Sequence, residues 1–105
     1  MKIPHFEVAA QRVHTVLGQM RAEGDLTEGR KKILIHLATN HTGSTHESEI
    51  FKLSNKTIPT LLRNPGMAEL LVREKNELGK ERVDRVALAP GVDYREILKF
   101  FGQRK

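Results

Sequence analysis

Residues 45–88 constrain the fold most, because two helical periods and two strand-like runs follow one another there with little chain between them. Ser44 and Glu47 have the spacing of a capping box, in which each side chain bonds the other residue's backbone N–H, and they open a short helix carrying Ile50, Phe51 and Leu53. A turn at Leu53-Ser54-Asn55-Lys56 follows. Pro59 then limits where the next helix starts, since a residue without an N–H fits only in a first turn. The second helix is therefore expected to begin near Lys56 or Thr57, to turn Ile58, Leu61 and Leu62 toward the core, and to run through Arg63, about two turns in all. Pro65 breaks it or starts a new turn capped by Asn64. Beyond this point Leu70-Leu71-Val72-Arg73-Glu74-Lys75 and Arg82-Val83-Asp84-Arg85-Val86-Ala87-Leu88 read as a basic hairpin, joined by a polar turn containing Gly79-Lys80.

The flanks add helices. Phe6, Ala9, Val13, Val16, Leu17 and Met20 recur at helical spacing and predict an amphipathic helix over residues 5–21, ended by Gly24. Asp25 and Glu28 form a possible capping box for a helix with Ile33, Leu34, Leu37 and Ala38 on its apolar stripe, which stops near Asn40-His41-Thr42-Gly43 in a left-handed glycine end. Past Ala89-Pro90-Gly91, another capping box at Asp93 and Glu96 opens a helix over residues 93–102. Its stripe of Tyr94, Ile97, Leu98 and Phe101 has no burial site except the first helix or a second subunit, so the two terminal helices are expected to dimerise. The tail Gln103-Arg104-Lys105 is expected to fray. Residues 1–105 together make one α+β domain.

Several function classes lose support from composition. The chain has no cysteine, which removes disulfides, thiol catalysis and thiolate metal sites and makes a reducing cytoplasm the simplest compartment. No apolar run approaches the roughly 20 residues of a membrane span. Met1-Lys2-Ile3-Pro4-His5 contains no apolar stretch of signal-peptide type. His36, His41 and His46 are spaced by five, neither on one helical face nor in a common zinc pattern, so no metal or cofactor is expected. His36, next to the apolar stripe, reads as a partly buried histidine. The Ser/His/Asp orderings, phosphate loops and paired carboxylates that mark enzymes do not stand out.

Charge points elsewhere. The formal net charge is +5, which favours a polyanionic partner. Between Glu49 and Glu69 the sequence holds no acidic residue, and Lys52, Lys56 and Arg63 lie inside that gap. Ser54, Asn55, Lys56, Thr57, Thr60, Arg63 and Asn64 are short or cationic donors of the kind that reach phosphates and base edges. For Ser54 and Asn55 the competing role is helix capping, and for Lys56 and Arg63 it is plain solvation. In the hairpin, Arg73, Lys75, Lys80, Arg82 and Arg85 face Glu74, Glu77, Glu81 and Asp84, so cross-strand charge pairing competes with ligand contact. Lys80 and Arg82, beside Gly79 at the tip, have the strongest claim to a phosphate or minor-groove contact.

A helix pair followed by a cationic two-stranded ribbon is the plan of a winged helix-turn-helix, and residues 26–91 resemble the MarR-type winged-helix regulators. Leu26-Thr27 with Ile33-Leu34-Ile35-His36-Leu37 looks like the family's helix before the helix-turn-helix. The run from Glu49 to Leu62 is similar to its turn and recognition helix, and Leu70–Arg73 with Arg82–Leu88 looks like its wing. Pro59 and the Asn64-Pro65-Gly66 break depart from the family pattern. The resemblance implies a homodimer that binds duplex DNA in a sequence-specific way and regulates transcription. By size and charge, plasmid-partition adaptors of similar compact fold are the subfamily to compare. A winged helix that serves only as a protein-interaction module is the competing class. RNA binding has less support, because the chain offers no aromatic stacking platform.

Overall fold

A computed structural model describes residues 5–103, with side chains from Arg12 onward. Phe6 and Ala9 of the first predicted stripe therefore lie outside the described side chains, and tail residues 104 and 105 lie outside the described residues. The elements run α1 (His5–Ala22), α2 (Glu28–Thr39), β1 (Thr45–His46), α3 (Glu47–Ser54), α4 (Ile58–Leu61), α5 (Pro65–Leu70), β2 (Leu71–Lys75), β3 (Glu81–Leu88) and α6 (Tyr94–Phe100). The class is α+β, as the sequence indicates.

Helix ends are set by local hydrogen bonding, and here several expectations are corrected. Gly24 does end α1. Its φ of +76° lets the Asp25 N–H reach back to the Met20 carbonyl (2.8 Å) and its own N–H to Arg21 (3.2 Å), the paired bonds of a Schellman end. The cap of α2 is Thr27, not Asp25: the Thr27 hydroxyl accepts from the Arg30 N–H at 3.4 Å, and Asp25 instead offers its backbone carbonyl to the Arg30 guanidinium. At its other end α2 stops on Asn40, whose φ of −109° is not left-handed and whose amide donates to the His36 carbonyl, so no glycine is needed there. Ser44 does not cap α3. His46 does, its Nδ1 accepting from the Ser48 N–H at 3.1 Å, while the Ser44 hydroxyl donates to Glu74. For α6, Asp93 accepts from the Arg95 N–H, but Glu96 does not reach back to complete a box; it turns to His14 of α1, 2.6 Å away.

The expected two-turn helix through Arg63 is one turn, α4, followed by a separate helix α5. Proline at position 65 disfavours helical geometry in the residue before it, and Asn64 is extended, with φ −73° and ψ 126°. Asn64 then caps α5 as anticipated, its Oδ1 accepting from the Met67 N–H at 3.0 Å. Met67 and Leu70 of α5 are buried.

Three antiparallel strands form a sheet in the order β1-β3-β2. The short β1 was not expected from sequence; Thr45 pairs with Val86 and His46 with Arg85. Leu71 opposes Leu88 and Arg73 opposes Val86, and the register shifts before Lys75 meets Glu81. The core lies between the helices and one sheet face: Val13, Leu17, Ile33, Leu34, Leu37, Ile50, Ile58, Leu61, Met67, Leu70, Leu71, Val86 and Ile97 are buried together. His36 is half-buried, as expected. The C-terminal helix α6 packs against α1 and α2 of the same chain, burying Ile97 and Leu98. Of the described stripe residues, Val13, Val16, Leu17, Met20, Ile97 and Leu98 are buried within this chain, while Tyr94 and Phe101 are only partly buried.

Candidate nucleic-acid interface

The surface of interest is built around the link from α3 to α4. Its position follows from close packing of α3 on α2: a β-carbon placed on Gly29 would stand 3.0 Å from both Cα and Cβ of Ser54, so a larger residue there would need Ser54 to give way by a few tenths of an ångström. Ser54 is consequently turned against α2, and its hydroxyl donates to the Ile50 carbonyl (2.7 Å) while accepting from the Lys56 N–H (3.2 Å). Asn55 is the single described non-glycine residue with positive φ, +59°, and its N–H closes α3 on the Phe51 carbonyl at 2.7 Å. Short polar side chains tolerate this left-handed geometry, so Asn55 makes the turn. Thr57 caps α4: its Oγ1 accepts from the Thr60 N–H (3.4 Å), and the two hydroxyls lie 2.9 Å apart.

The seven helix-side candidates therefore divide. Ser54, Asn55, Thr57 and Asn64 each hold a backbone end, whereas Lys56, Thr60 and Arg63 are exposed around the turn they create. Neither Lys56 nor Arg63, nor Lys52 one turn earlier, forms an ion pair with the described carboxylates. The three cations of the acid-free gap thus lie outside every described ion pair.

The hairpin divides more sharply. Arg82 sits between Glu74 (3.8 Å) and Asp84 (3.5 Å). Arg85 donates toward the Ser44 carbonyl and hydroxyl at 3.5 and 3.4 Å, which ties β3 to the start of β1. Arg73 is half-buried opposite Val86, with Nε enclosed and without a hydrogen-bond partner. Lys75 and Lys80 remain, exposed and outside every described ion pair. The tip between them is organised by Asn76, whose Oδ1 accepts from both the Leu78 and Lys80 N–H groups, at 2.9 and 3.1 Å.

Two exposures were not read from the sequence. Lys32, on α2, is another exposed cation without a described ion pair, and nothing in its local sequence distinguishes it from Lys31, whose ammonium lies over the Phe101 ring. Phe51 was grouped with the apolar residues of α3, yet it is 53% exposed, while Ile50 is fully buried.

Among the described residues, no group of three His, Asp or Glu side chains is placed to hold a metal ion, and no helix is long and apolar enough to cross a membrane. Compared with protein-family models, with curated proteins and with solved structures, the chain matches none.

Proposed function

We propose that the chain is a winged-helix domain that binds duplex DNA and regulates transcription, with α3 and α4 as its helix-turn-helix and β2–β3 as its wing. The observation that carries this reading is the set of uncompensated cations, Lys52, Lys56 and Arg63, around a one-turn helix that has no carboxylate nearby in sequence. A cation already paired with a carboxylate gains little from a phosphate, whereas an unpaired one can displace condensed counterions. Element order supports the same reading: helix, short strand, three helices (the last, α5, one and a half turns), then a hairpin whose second strand lies at the centre of the sheet. The MarR-type resemblance and a cytoplasmic location belong to this proposal, and a DNA-organising role in partition fits the same surface. A homodimer that reads a palindrome through paired helices belongs to the same proposal, and sedimentation equilibrium of the full chain tests it.

The test is fluorescence anisotropy with a short random duplex over a range of salt concentrations. If Lys52, Lys56, Arg63, Lys75 and Lys80 each neutralise one phosphate, the log–log slope should be about −4.5, at about 0.9 per contact. Absence of binding at low salt refutes the reading. The second reading, a protein-interaction module, is favoured by one observation: Phe51, Val72, Leu78 and Val83 are large apolar side chains left exposed. A flat salt response with the fold intact would select it.

A further inference from the structure

We propose that the cleft between the end of α1, the start of α2 and the end of α6 binds an organic phosphate monoester. The site shares no residue with the proposed DNA surface and would stand without it. Arg21, Gly24, Leu26, Glu28, Lys31 and Phe101 line a cleft of about 280 Å³. Three elements bring them together. The Schellman end at Gly24 turns the chain from α1 into α2 within a few residues, so Arg21 in the last turn of one helix and Lys31 near the start of the next border the same space. Helix α6 packs on both and closes the third side with Phe101, which follows its last turn.

Both cations are held in place without being neutralised. The Arg21 guanidinium lies 4.2 Å from the centre of the Phe100 ring and the Lys31 ammonium 6.0 Å from that of Phe101, and the two rings meet edge to face with centres 5.3 Å apart. Neither cation has a described ion pair or side-chain hydrogen bond. A ring attracts a cation through its quadrupole but accepts no strong hydrogen bond, so the N–H donors of both groups stay open to a ligand. The carboxylate on the wall, Glu28, belongs to the first turn of α2, where the positive helix end already favours its charge. It pairs with neither cation, so Arg21 and Lys31 against Glu28 leave the cleft a net charge of +1. An arginine fork and a lysine point charge both suit phosphate oxygens, and two cations match a dianion better than the single charge of a carboxylate. Half-buried Leu26 and Phe101 give an apolar wall for the organic part.

The experiment titrates the full chain with phenyl phosphate, followed by calorimetry and by backbone amide shifts in NMR. A Kd of about 1 mM or tighter is expected, with shifts centred on residues 21–31 and Phe101. Inorganic phosphate, which leaves the apolar wall untouched, and benzoate, which carries one charge, should each bind at least about threefold more weakly. Arg21→Gln and Lys31→Gln should each weaken phenyl phosphate by about tenfold or more, the usual effect of losing a charge-assisted hydrogen bond. Lys32→Gln removes the same charge one residue along, outside the cleft, and should leave the affinity within about twofold. Because Arg21 also covers the Phe100 ring, Arg21→Lys keeps a cation there and should hold the wild-type circular dichroism spectrum while binding more weakly than the wild type. No saturation by about 10 mM overturns the proposal. So does equal weakening by Lys31→Gln and Lys32→Gln, which would mean a response to net charge alone. Shifts confined to residues 52–63 would put the phosphate on the proposed DNA surface and overturn it as well. Benzoate or inorganic phosphate bound as tightly as phenyl phosphate removes the assignment to an organic monoester.

Discussion

Asn55 is where a turn role and a ligand role can be separated by substitution. Its φ of +59° places it in the left-handed region, and the N–H···O bond to Phe51 fixes it there at 2.7 Å. For a residue with a β-carbon this region costs about 1–2 kcal/mol, less for asparagine, and nothing steric for glycine. If Asn55 is held for its backbone, Asn55→Gly should stay within about 1 kcal/mol of the wild type, relief of strain being offset by the freedom glycine adds to the unfolded chain. Asn55→Val should lose about 2 kcal/mol, since a β-branched side chain is a genuine outlier in this region. Urea unfolding reads the difference. With a slope of about 2 kcal/mol per molar, the midpoint of the valine variant should fall by about 1 M and that of the glycine variant by less than half as much. Asn55→Gly should also keep its DNA affinity, because the side chain makes no essential contact in this account. A glycine variant as stable as the wild type but deficient in DNA binding would assign the side chain to the ligand. A valine variant with an unchanged midpoint would refute the turn argument itself.

Three further outcomes follow from the same geometry. Ile97→Ala removes a fully buried side chain that joins α6 to α1 and α2, and should cost about 2–5 kcal/mol in urea unfolding; a cost near zero would mean α6 is not docked on its own chain. Arg63→Ala should lower the magnitude of the salt slope of DNA binding by about 0.9, whereas Arg82→Ala, already engaged by Glu74 and Asp84, should leave it unchanged; equal effects would contradict the division between paired and unpaired cations. The Arg95 guanidinium beside Asp93 holds that carboxyl below its ordinary pKa of 3.8, so its contribution to stability is present above that value and is lost as pH falls through the lowered one. Asp93→Asn keeps the cap and removes the charge, so the variant should be less stable near neutrality and converge on the wild type in acid, as followed by unfolding at stepped pH.

Much of the frame was legible because it rests on periodicity and on a few residues with strong backbone preferences. The stripes from Val13 to Met20, Ile33 to Ala38 and Ile97 to Leu98 define their helices, Gly24 ends one, and Asn64-Pro65 marks a new start. Caps were harder, because neighbouring side chains compete for the same N–H groups. Asp25 and Thr27 both stand near the start of α2, and only the path of the chain out of α1 decides for Thr27. The two-residue strand β1 carries no period of its own and exists by pairing with Val86 and Arg85. The hairpin arginines were legible as charges but not as partners. Whether Arg82 meets solvent or Glu74 depends on the register shift between Arg73 and Lys75, which no local pattern encodes.

That register shift also shapes what the wing can do. With Arg82 and Arg85 engaged inside the sheet, what remains for a ligand at the tip is Lys75, Lys80 and a Leu78 side chain that is 83% exposed. Glu77 in the loop and Glu81 at the start of β3, opposite Lys75, balance the two lysines, so the tip has no net charge and cannot act as a strong phosphate clamp. The α3–α4 segment, residues 47–63, carries Lys52, Lys56 and Arg63 against Glu47 and Glu49, a net charge of +1, so in the proposed complex it supplies more of the electrostatic attraction than the tip. The hairpin contributes mainly shape and position. Among the described residues, three of the four large exposed apolar side chains, Val72, Leu78 and Val83, are on the hairpin. In the proposed DNA complex these side chains sit on the element assigned as the wing, so a partner that covered them would compete with wing contact.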